Sequence, residues 1–127
     1  MAHILIIEDT EELREMMTTL VQRMGHEVSV AQDGLEGVRA AKTSRPDLII
    51  LDLMMPVASG DLTLGYLRST DTFKHVPVIV VSAHPSAKAI ADKLQAHCIE
   101  KPFGFPELKA LIDRLLSESE EMKPKDQ

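Results

Sequence analysis

Apolar residues along the 127-residue chain follow two alternating rhythms. The runs His3-Ile4-Leu5-Ile6-Ile7, Leu48-Ile49-Ile50-Leu51 and Val76-Pro77-Val78-Ile79-Val80-Val81 are apolar at almost every position. Such runs fit strands buried on both faces, as in a parallel sheet covered by helices. Glu27-Val28-Ser29-Val30-Ala31 reads as a shorter strand with a turn at Asp33-Gly34, and a very short strand near 97–100 runs into Lys101-Pro102. Between the strands the spacing becomes helical. Leu13, Met16, Met17, Leu20, Val21 and Met24 form one apolar stripe that Gly25 stops. Asp9 is expected to cap that helix, with Glu12 completing a capping box, and Met16, Met17 and Met24 are expected in the core. Further helices are expected over about 34–43, 60–70 and 86–95. A further, final helix carries Phe105, Leu108, Leu111, Ile112, Leu115 and Leu116 on one face. Five β-α units in succession predict an α/β fold, a doubly wound five-stranded parallel sheet with helices on both faces. The domain is expected over 1–118, and the polar residues 119–127 as a solvated C-terminal tail.

The strand ends are where this pattern becomes chemical. Glu8-Asp9 follow the first run, Asp52 ends the Leu48 run, and Ser82 ends the run before His84-Pro85. Ligands of open α/β sheets bind just outside the carboxyl ends of the strands, so three carboxylates and a hydroxyl fall on that edge. Carboxylates so placed repel one another unless a cation lies between them, and an all-oxygen cluster suits Mg²⁺. A metal there would also offset the charge of an incoming phosphoryl group. Asp52 could then attack phosphorus and form an aspartyl-phosphate. Lys101 adds a positive charge from another strand end, and Ser82 a hydroxyl able to bond phosphoryl oxygen.

Composition narrows the alternatives. The net charge of −6 argues against nonspecific nucleic-acid binding, and 3% aromatic content against base-stacking platforms. No apolar run approaches the roughly 20 residues that span a bilayer, and no basic signal region precedes the first strand, so a cytoplasmic location without membrane contact is expected. Cys98 stands alone, which rules out an intrachain disulfide, and is expected to serve as a small buried hydrophobe. The five histidines show no metal-ligand spacing.

Four motifs in order carry a resemblance over about residues 2 to 118: Glu8-Asp9; Asp52-Leu53-Met54-Met55-Pro56 with Gly60 four residues after the proline; Ser82-Ala83; and Lys101-Pro102-Phe103. In these the chain resembles the receiver domains of bacterial two-component response regulators. The resemblance implies a flavodoxin-like sheet of order 2-1-3-4-5. It also implies a switch that accepts a phosphoryl group on Asp52 from a histidine kinase or phosphotransfer protein, and so controls binding of a downstream protein. By the same resemblance Asp9 and Asp52 bind Mg²⁺ directly with the backbone carbonyl of Met54, and Glu8 acts largely through water. Ser82 and Lys101 hold the phosphoryl oxygens. Catalysis is then confined to the chain's own phosphorylation and dephosphorylation, so it is not an enzyme in the usual sense.

One departure bears on output. Receivers commonly carry Tyr or Phe three residues before the lysine, whereas this chain has Cys98. A phosphorylation-independent protein-binding module is therefore the alternative reading. A phosphohydrolase with an Asp nucleophile typically has a second Asp two residues later, a place held here by Met54. A flavin carrier is disfavoured because Glu8-Asp9-Thr10-Glu11-Glu12 would repel flavin phosphate.

Overall fold

The computed structural model describes residues 1–53 and 59–122. Five strands and five helices alternate: β1 (His3–Ile7), α1 (Glu11–Arg23), β2 (Glu27–Ala31), α2 (Gly34–Ser44), β3 (Leu48–Asp52), α3 (Gly60–Ser69), β4 (Val78–Ser82), α4 (Ala87–Lys93), β5 (His97–Glu100) and α5 (Phe105–Met122). All four strand pairings are parallel and the order is β2-β1-β3-β4-β5, as expected from the alternating rhythm and the resemblance. Each strand's side chains alternate between two cores. Leu5, Ile7, Ile49, Leu51, Val78 and Val80 pack towards Ala41, Leu64, Leu67 and Ala91 of α2, α3 and α4. Ile4, Ile6, Leu48, Ile50, Ile79 and Val81 pack towards Met17 and Val21 of α1 and Leu108, Ile112 and Leu115 of α5. β3 and β4 are buried throughout because both their faces and both their edges are covered.

Two glycines permit close packing. A Cβ on Gly37 would lie 2.5 Å from Ile7 Cδ1, so α2 can sit directly on the end of β1. A Cβ on Gly60 would lie 2.3 Å from the Asp52 carbonyl oxygen and 2.5 Å from Leu53 Cα. The first turn of α3 therefore rests against the backbone of Asp52, and Gly60 N–H donates to Leu53 O at 3.0 Å.

Several expectations need correction. Thr10, not Asp9, is the N-cap of α1, and no side chain caps it. The Thr10 N–H is already taken by Glu8 Oε2 at 3.2 Å. Met17 is buried and Met24 packs against the core, but Met16 is 45% exposed because it lies at the margin of the stripe. Asp33 does more than turn the chain: its Oδ1 accepts Glu36 N–H at 2.8 Å and caps α2. β4 begins at Val78, two residues later than the apolar run, since Pro77 has no N–H to give a ladder. α4 is shorter than expected, and α5 runs on to Met122, so residues 119–122 continue the helix. Cys98 is half-buried against the core under α4. Burial, with the Glu100 charge second, pushes its thiol pKa up, which keeps it protonated. No helix among the described residues is long and apolar enough to cross a membrane.

Candidate functional site

The parallel registers bring the polar strand ends to one edge. Ile7 is level with Leu51 and Asp52 with Val81, so Glu8, Asp52 and Ser82 follow one another across β1, β3 and β4. Lys101 continues β5, which pairs Glu100 with Ser82, and Lys101 N–H donates to Ser82 O at 3.0 Å. The Lys101-Pro102 peptide is cis.

Carboxylate oxygens of Glu8, Asp9 and Asp52 lie within 4.8 Å of one another. Glu8 is fully buried and Asp52 is 4% exposed, whereas Asp9 is exposed. Lys101 Nζ stands 3.3 Å from Glu8 Oε1 and 3.5 Å from Asp52 Oδ2, bridging the two buried acids. One ammonium against three carboxylates leaves an excess of negative charge, and the titration of Glu8 registers it. Its pKa is pushed up to about 7, first by burial and then by the Asp52 charge, with the Thr10 N–H and Lys101 opposing. Hard oxygen donors in surplus over their counter-charge suit a divalent cation such as Mg²⁺. Glu8, Asp9 and Asp52 are the residues that would hold it.

The structure thus brings together Glu8, Asp9, Asp52 and Lys101. Ser82 is at the neighbouring strand end and fully buried, its Oγ accepting the His84 backbone N–H at 3.0 Å. Met54, expected as a carbonyl ligand, and Pro56 lie outside the described residues. Two supporting residues escaped the sequence reading. Arg14 donates from one guanidinium nitrogen to the carbonyls of Glu8 (2.8 Å) and Asp9 (3.5 Å), fixing the acidic turn from within α1. Thr10 holds the Glu8 carboxylate through its N–H. The only signal for Arg14 is its place one turn into the helix, on the side facing the turn.

The family model described as the response regulator receiver domain matches residues 4–113. Among curated proteins, the sensor histidine kinase TmoS of Ectopseudomonas mendocina is 35% identical over 118 residues, 90% of this chain but 12% of its own length. The chain likewise spans 8% of hybrid signal transduction histidine kinase D of Dictyostelium discoideum. The polar-differentiation response regulator DivK of Brucella anthropi is 31% identical over 91% of this chain and 97% of DivK. Among solved structures, chemotaxis protein CheY4 of Vibrio cholerae superposes with a TM-score of 0.83 at 30% identity, covering 91% of this chain and 98% of that one. Response regulator TrrA of Thermotoga maritima, in complex with Mg²⁺-BeF, gives a TM-score of 0.81 at 28% identity over 91% of this chain and 99% of TrrA. With fold, acidic edge and family model in agreement, the chain belongs to the response regulator receiver domains of two-component systems.

Proposed function

We propose that the chain accepts a phosphoryl group on Asp52 from a histidine kinase or phosphotransfer protein, in a Mg²⁺-dependent reaction, and thereby switches its binding of a downstream protein. The observation that carries this is the pairing of buried Asp52 with Lys101 at 3.5 Å inside one cluster with Glu8 and Asp9. An Asp52 oxygen attacks phosphorus as the P–N bond to the donor histidine breaks, and the electron pair leaves with the imidazole, which takes up a proton. A divalent cation held by Glu8, Asp9 and Asp52 would neutralise charge on the incoming phosphoryl oxygens. Lys101 holds the Asp52 carboxylate and is placed to follow a phosphoryl oxygen once the acid is esterified. Ser82 offers its hydroxyl from the adjacent strand end. TrrA, crystallised with Mg²⁺-BeF, lends support by kinship. The relatives that are histidine kinases or response regulators support a kinase or phosphotransfer donor. On this reading the chain works in the cytoplasm, without nucleic acid or membrane as partner, and turns over no substrate but its own phosphate.

The test is transfer of labelled phosphate from a small phosphodonor with Mg²⁺. We expect label that is acid-stable only briefly, is released by hydroxylamine, and is absent from Asp52→Asn. Label retained by that variant would refute an aspartyl-phosphate at this position. Cys98, a half-buried thiol where relatives keep a ring, favours one further reading, a partner-binding module indifferent to phosphate. Equal affinity for an isolated partner with and without beryllofluoride would favour that reading instead.

A further inference from the structure

The residues between β4 and α4 are exposed, yet bonds that converge on His84 give them one shape. Its backbone N–H donates to Ser82 Oγ, its carbonyl accepts Ala87 N–H, and its ring Nδ1 accepts Ser86 N–H, each at 3.0 Å. The ring bond supplies what the helix start lacks, since Ser86 at the N-cap of α4 makes no side-chain cap bond. A side-chain acceptor two residues before a backbone N–H is the turn geometry that Asn and Asp use. Here an imidazole nitrogen takes that part.

We propose that His84 is a positioning residue for Ser82: its ring fixes the turn in which its own backbone N–H meets the Ser82 hydroxyl oxygen, and so sets that oxygen's resting place. The inference rests on the phosphoacceptor reading of Asp52. Ser82 is fully buried and its carbonyl is bound by Lys101 N–H, so the strand end is fixed and the side-chain torsion is what remains to turn. Turning towards a phosphoryl group on Asp52 takes the oxygen out of the bond from His84. Every constraint that keeps that N–H in place opposes the turn.

The experiment is calorimetric titration of the whole chain with beryllofluoride and Mg²⁺, a stand-in for the phosphoryl group. His84→Ala, which removes the ring acceptor, is expected to bind about threefold to tenfold tighter, the scale of one net hydrogen bond. His84→Asn keeps an acceptor two residues before Ser86 N–H and is expected to return the affinity to that of the unsubstituted chain. In a Ser82→Ala background the substitution of His84 by Ala is expected to change nothing, because its effect passes through the hydroxyl. The inference is overturned by an Ala variant no tighter than the parent, by an Asn variant that behaves like Ala, or by an Ala effect that survives without the hydroxyl. Absence of binding by the unsubstituted chain, together with absence of Asp52 labelling, would overturn the phosphoacceptor reading itself.

Discussion

Glu8 concentrates the electrostatics of the site in one side chain. It has no exposure to water, faces Asp52, and shares one lysine with it. Its pKa in the folded chain is about 7, against an ordinary 4.5. The folded state therefore holds a proton that the unfolded state has lost across that interval. Stability without metal is full below about pH 4.5 and falls as the pH rises through 7, by on the order of 3 kcal/mol. Thermal melts of the metal-free chain should show this decline, and Glu8→Gln should flatten it; a parallel decline in the variant would move the cause elsewhere. Lys101 works against the same charge. Lys101→Met should push the Glu8 carboxyl still higher, which a shift of the stability midpoint to higher pH would reveal. These acids were legible from the chain because each ends an apolar run. Arg14 was not, because its role is to bond two carbonyls, and backbone acceptors leave no trace in a residue pattern.

At the scale of the element, two contacts fix what the helices can do. Gly60 lets α3 start against the Asp52 carbonyl, and a methyl there has nowhere to go. Gly60→Ala should cost about 1–3 kcal/mol and, on the proposed function, reduce Asp52 phosphorylation, since relief requires moving the backbone of Asp52 itself. A stability loss with unimpaired labelling would show that the two are separable. Arg68, at the end of α3, donates to the carbonyls of Leu94, Gln95, Phe73, Lys74 and Val76 at 2.8–3.3 Å. It thus ties the C-terminal end of α4 to the segment that feeds β4. Arg68→Ala should destabilise by about 3 kcal/mol or more in denaturant melts, and Arg68→Lys should recover little, because an ammonium cannot span five carbonyls. The periodic pattern located all five helices but misjudged where they end. The polar residues after Ser117 continue α5 because nothing there breaks a helix, and Met16 sits outside the core although it keeps the stripe's spacing.

For the whole molecule, alternation of apolar runs with helical stripes was enough to imply the parallel sheet and its two cores. Strand order came only with the resemblance, because pairing partners 18 or more residues apart leave no local mark. The sheet delivers three acids and a lysine to one edge, and that arrangement makes a prediction for the molecule as a unit. Mg²⁺ should raise the melting temperature of the chain, more at pH 8 than at pH 6, and Asp9→Asn or Asp52→Asn should remove most of the increment. An increment of equal size in either variant would mean that the ion binds elsewhere.

The buried position of Glu8 has one more consequence. A carboxyl that is half protonated near neutrality must give up its proton when a divalent ion enters beside it, so uptake of the ion exchanges one cation for another. The heat of Mg²⁺ binding should then vary with the ionisation enthalpy of the buffer, and the apparent affinity should weaken as the solution is made acidic. Uptake of a divalent ion at this edge would then fall as the proton concentration rises.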